Sequence, residues 1–202
     1  MKGRSHSVFI WMAAIAMVSF TISSDQQKVK EYLSVPGPLQ FNGMAFQLNW
    51  SSHPNNNYYK QEYLPPNEKT ETFTKMLMIE ALVGNADIPT IVKQKMAELD
   101  SRKQTDAVTN YSVINNPSNG EYLLDFVISQ ESGKQTIVEW NAYRYVKLDP
   151  QDATKGLLLF AYCRRSYGAA TTNFLKALKT DRTADVKKLA TYKVPAVKIK
   201  AG

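Results

Sequence analysis

Apolar and polar positions alternate through most of this chain, and the alternation predicts strands. In residues 44–50, Met44, Phe46, Leu48 and Trp50 fall on one face, the period of a half-buried strand. Residues 58–64 follow as a second strand after a turn-rich loop, 51–57, and stop at Pro65-Pro66, which reads as a hairpin. Residues 76–83 are nearly all apolar and end at Gly84-Asn85; residues 107–114 read as a further strand. Three long strands then follow at 121–131, 135–148 and 156–167, the first two joined by a tight turn at Ser132-Gly133. Residues 156–162 are apolar on both alternating sets, which predicts a central strand covered on both faces.

Helical spacing is confined to two regions. Ile88, Ile91, Val92, Met96 and Leu99 form one stripe over 88–102, with Asp87 as N-cap and Pro89 in the first turn. Gly168 stops the last strand, and Thr171 or Thr172 can cap a helix carrying Phe174, Leu175 and Leu178; residues 180–182 read as a break before 184–192. Residues 68–75 suit one or two helical turns. Residues 25–38, broken by Val35-Pro36-Gly37-Pro38, read as a lead-in, and the basic tail VPAVKIKAG reads as peripheral or as a short edge strand. The order predicts an α+β fold: a mainly antiparallel β-sheet of about six to seven strands with helices packed on its faces.

Composition changes the picture at the N-terminus. Lys2 and Arg4 precede the apolar run 8–20, and the small residues Thr21, Ser23 and Ser24 follow. That is the pattern of a secretory signal peptide over 1–24, leaving 25–202 as one domain in a periplasmic or secreted location. The run is shorter than the ~20 residues a membrane span needs, so no stable membrane insertion is expected after cleavage. The chain has one Cys, so the domain must hold together by packing without an internal disulfide. Its net charge of +7 is spread among acids. Export makes nucleic acid an unsuitable partner, and leaves room for weak, salt-dependent attraction to anionic lipid or polysaccharide.

The stretch containing Tyr63, Leu64, Pro65, Glu68, Phe73, Thr74 and Met76 resembles a pattern of small exported bacterial proteins of uncharacterised type. The later strand-strand-strand-helix ending is similar to PsbP-like α/β/α sandwich domains. This resemblance implies a PsbP-like sandwich and export, and it implies no catalytic residue.

Candidate chemistry is sparse. His53 is the one histidine beyond residue 24, and no Gly-x-Ser-x-Gly occurs, so a Ser or Cys nucleophile lacks an obvious base. Cys163 could be a thiolate activated by Arg164 and Arg165, but a lone Cys in an apolar strand reads better as a small core residue. One His and one Cys do not supply a zinc site. Asp149-Pro150-Gln151-Asp152 lacks the ligand spacing of a calcium loop, and no glycine-rich phosphate loop is present. No catalytic residue, metal or cofactor is therefore expected. Asp125 and Glu139 are the carboxylates that could form a hydrolytic pair. Counting back from Ser132-Gly133 sets Asp125 across from Trp140 and Glu139 across from Phe126, on opposite faces; a one-residue slip would unite them. Asn49-Trp50-Ser51 and Asn110-Tyr111-Ser112 match the glycosylation sequon.

The polar set best suited to recognition lies on the long strands. Glu139, Asn141, Tyr143 and Tyr145 share one face of 135–148, and Tyr162 and Arg164 share one alternating set of the next strand. Tyrosine and arginine combine rigid contact area with directional donors. These six are the candidate ligand-binding residues. The expected function is an exported, non-catalytic binding or accessory domain of the cell envelope, whose partner is an envelope protein or a small ligand. One alternative is a small hydrolase acting on envelope glycans through a carboxylate pair; another is a structural component of an envelope assembly.

Overall fold

A computed structural model describes residues 29–133 and 135–200; the expected signal peptide lies outside them. Eight strands form one antiparallel sheet: β1 (Leu39–Phe41), β2 (Met44–Asn55), β3 (Tyr58–Leu64), β4 (Lys75–Val83), β5 (Asn110–Asn116), β6 (Glu121–Ser132), β7 (Gln135–Asp149) and β8 (Asp152–Tyr167). Their spatial order is β1-β2-β3-β4-β8-β7-β6-β5. Two α-helices accompany them among the described residues, α1 (Ile88–Arg102) and α2 (Thr171–Thr191). The expected sandwich of about six to seven strands is thus corrected to an eight-stranded sheet with few helices. The added strand is β1, whose buried Leu39 and Phe41 follow directly on the proline-rich lead-in.

Three local expectations also change. Residues 68–75 form turns, not a helix. The Glu68 carboxylate holds them, accepting from Thr74 N (2.7 Å), Thr74 Oγ1 (2.7 Å) and Lys75 N (3.3 Å). The helix expected to break at 180–182 runs through as α2, because Thr180 Oγ1 donates to Ala177 O (2.8 Å) instead of capping a new helix. Finally, Trp50 leaves the face of Met44, Phe46 and Leu48. Leu48 pairs with Tyr63 but Trp50 pairs with Glu62, across a register shift at residue 49. Neighbouring residues of β3 face opposite ways, so this β-bulge turns Trp50 to the other side of the sheet.

Each face carries its own core. Against one, α1 lays Ile88, Val92 and Leu99 on Leu124, Phe126, Tyr145, Leu157 and Leu159. Against the other, α2 lays Leu178, Val186 and Leu189 on Trp140, Phe160 and Tyr162, joined by Phe41 and Phe46. Strand β8 lies between β4 and β7 and feeds both cores, which explains its apolar run. Burying each large apolar side chain stabilises the fold by about 1.5–3 kcal/mol. Helix α2 is also tied down by polar contacts. Arg164 Nη1 meets Asp185 Oδ2 at 3.0 Å, and Arg182 Nε meets Asp125 Oδ1 at 3.3 Å.

Candidate functional site

The sheet separates the six expected binding residues. Glu139, Asn141, Tyr143 and Tyr145 lie on the α1 face of β7, whereas Tyr162 and Arg164 lie on the α2 face of β8. Most are engaged internally. Glu139 accepts from Arg165 Nε (2.6 Å) and from Asn141 Nδ2 (3.0 Å), and the Arg165 guanidinium stacks 3.9 Å from the Phe73 ring. The buried Asn141 Oδ1 has no hydrogen-bond partner among the described residues. Burial raises the Tyr143 and Tyr145 hydroxyls above the ordinary tyrosine value, and burial followed by the nearby Asp185 charge pushes Tyr162 up to about 12. Arg164 is held by Asp185 and lies over the Phe174 ring. The six residues therefore do not converge on one opening.

The carboxylate pair does not assemble either. The β6–β7 hairpin pairs Ser132 with Gln135, so Asp125 faces Ala142 and Glu139 faces Ile128, two residues from the register expected from the turn. An even shift preserves the faces. Asp125 stays on the α2 side, accepting from Trp140 Nε1 (3.2 Å), while Glu139 stays on the α1 side. Cys163 is 1% exposed. Burial first, and the Glu139 charge second, hold its thiol well above the ordinary cysteine value, against the smaller pulls of Lys60 and Arg165. His53 stacks on Tyr59 with ring centroids 4.0 Å apart.

A concavity lies on the α2 face, where β7 ends and β8 begins. There α2 ends and the chain crosses the sheet as a strap, residues 193–200. Backbone bonds fix the strap to the N-terminal segment: Lys198 N to Leu33 O (3.0 Å) and Lys200 N to Tyr32 O (2.8 Å). Ser34 Oγ donates to Lys198 O (2.9 Å), and Lys200 pairs with Glu31. Between strap and sheet runs a groove of about 800 Å³. Val146, Leu148 and Leu158 come from the strands, and Val194, Pro195 and Val197 from the strap.

Charge is set along the groove's edge. Arg144 donates to Glu121 Oε2 (2.9 Å) and to the Leu189 and Tyr192 carbonyls (3.1 and 2.8 Å). It thereby ties down the end of α2, where Leu189 O also accepts from Tyr192 N (3.3 Å). Lys155 pairs with Asp149 at 2.9 Å. Lys147 and Lys193 also line the groove, and no ion pair is found for either among the described residues. Four cations thus face two carboxylates, Glu121 and Asp149. A site of this size, with an apolar interior and a few placed charges, suits a small ligand. The sequence pattern reads the tail as peripheral and does not reveal this groove. The available signal was the apolar spacing of Val194 and Val197 behind a helix end.

No curated protein and no solved structure matches the chain. Nothing in these comparisons supports the resemblance to PsbP-like domains. Within this chain, the residues that carried the wider resemblance serve the fold: Tyr63 Oη donates to Val35 O (2.7 Å), Glu68 holds the 68–75 turns, and Phe73 is buried. A protein-family model does match, over residues 33–194, and the chain belongs to that uncharacterised family.

Proposed function

We propose that the protein is an exported, non-catalytic binding domain of the cell envelope, and that the groove under the strap holds its ligand. The observation that carries this reading is the groove itself: about 800 Å³, an apolar lining, and lysines at positions 147 and 193 for which no ion pair is found among the described residues. Its chemistry favours an amphipathic anion, with an apolar body against Val146, Leu148 and Leu158 and a negative end near the lysines. Export rests on the residues before 25, and places the domain in the periplasm or outside the cell.

The test is displacement of a fluorescent long-chain fatty acid from the full chain. Leu148→Arg is expected to weaken the probe at least tenfold, since burying one leucine side chain gives about 1.5–3 kcal/mol. Replacing Lys147 and Lys193 together by Glu should weaken it less and make binding less sensitive to salt. Unchanged affinity in Leu148→Arg, with unchanged melting, would remove the groove as the ligand site. Export is read separately: a product recovered uncleaved from the cytoplasm of an export-competent bacterium would contradict it.

A further inference from the structure

Trp50 is 41% exposed, and the bulge at residue 49 is what puts it there. Had β2 continued its alternation, the indole would lie with Phe46 and Leu48 on the α2 face, where burial would stabilise it. The bulge is fastened instead: Thr70 Oγ1 donates to Asn49 Oδ1 at 2.9 Å. Helix α1 makes its main contacts with β5, β6 and β7 and reaches β4 through the cluster of Ile88 and Val92 with Met76 and Met78, while Trp50 on β2 stays exposed. Lys60 Nζ lies 5.8 Å from the Trp50 ring centroid, 2.9 Å from Glu62 Oε1 and 3.7 Å from Glu80 Oε1. Strand pairing sets Trp50 beside Glu62, and Ser52, Lys60 and Glu80 in the next row.

We propose that Trp50, Lys60, Glu62 and Glu80 form a second site, on the β2–β4 part of the α1 face around the exposed indole, that binds a neutral, hydroxyl-rich saccharide chain. The residues select that class by charge and shape. A free anion would meet two carboxylates, and a free cation would have to displace the ammonium already beside the ring. A neutral sugar ring offers an apolar C–H face to the indole, a hydroxyl donor to Glu80, the less buried of the two carboxylates, and hydroxyl acceptors to Lys60, which Glu62 holds in place. Strands lie about 4.8 Å apart, so the row from β2 to β4 is long enough for more than one sugar ring. Burial, the largest influence on Glu80, raises its carboxyl above the ordinary value against the pull of Lys60; this suits a polar but uncharged ligand. The site lies across the sheet from the strap groove and does not depend on it.

The experiment is affinity electrophoresis of the full chain in native gels containing laminarin, hydroxyethyl cellulose or a galactomannan. At least one neutral polysaccharide should retard the protein. Trp50→Ala should lower the retardation at least tenfold and Trp50→Tyr should retain part of it, while Leu148→Arg should leave it unchanged. The fluorescence difference between the wild type and Trp50→Phe isolates Trp50 from Trp11 and Trp140, and should shift when the retarding polysaccharide is added. No retardation by any of the three would overturn the proposal. So would retardation that persists in Trp50→Ala, or retention only on heparin, which would report the chain's positive charge alone.

Discussion

Asp106 joins the end of α1 to the sheet, and its replacement has a calculable effect. Its carboxylate is 8% exposed and accepts five hydrogen bonds. Oδ1 takes Val108 N (3.0 Å) and Ser129 Oγ (2.6 Å); Oδ2 takes Ser129 N (2.7 Å), Thr109 Oγ1 (2.8 Å) and Arg102 Nε (3.1 Å). In Asp106→Asn one oxygen becomes an amide donor. The Thr109 and Ser129 hydroxyls can rotate, and Arg102 can reach water, but a backbone N–H cannot turn away. Leaving that donor unpaired costs about 1–3 kcal/mol, and losing the charge-assisted character of the rest adds ~1 kcal/mol, so about 3 kcal/mol is expected at pH 7.

The pH dependence has a definite sign. Burial alone would raise the Asp106 pKa, but the hydrogen bonds from Ser129, Thr109 and Arg102 outweigh it and lower the folded value. A depressed carboxyl contributes stability that is fully present above its unfolded pKa, about 3.9, and is lost as pH falls through the folded value. Urea unfolding of wild type and Asp106→Asn at pH 7, 4 and 3 should therefore show a gap that narrows below pH 4. A gap under about 1 kcal/mol at pH 7, below the cost of one buried unpaired donor, would refute this account. So would a gap that does not change with pH.

Other outcomes follow from the same geometry. Cys163, buried and held as the thiol, should label with a thiol reagent at pH 8 only as fast as the protein unfolds; rapid labelling of the native state would contradict that assignment. Gly156 has φ +124°, and a Cβ there would lie 2.0 Å from Leu82 O, so Gly156→Ala should cost more than ~3 kcal/mol in chemical denaturation. Glu139→Gln leaves Arg165 half-buried without its carboxylate and should lower stability by about 1–3 kcal/mol, while Glu139→Gln with Arg165→Met together should recover part of the loss.

The alternating pattern by itself determined much of this protein. Seven of the strands, the start of α1 and the double-sided character of β8 are local properties: period 2, a capping Asp87 that accepts from Thr90 N (3.0 Å), and an unbroken apolar run. Even the faces of Asp125 and Glu139 could be read from the chain, because an even register error leaves side-chain direction intact. What pattern could not decide was anything set by pairing across the sheet or by contacts distant in sequence. The β6–β7 register follows from which residues close the turn, and the sequence around Gly133 permits more than one choice. The bulge that turns Trp50 outward depends on how β2 meets β3 and on Thr70 holding Asn49. The groove exists only because Lys198 and Lys200 bond to Leu33 and Tyr32 at the other end of the domain. Local periodicity carries no information about such closures; only the folded backbone brings those segments together.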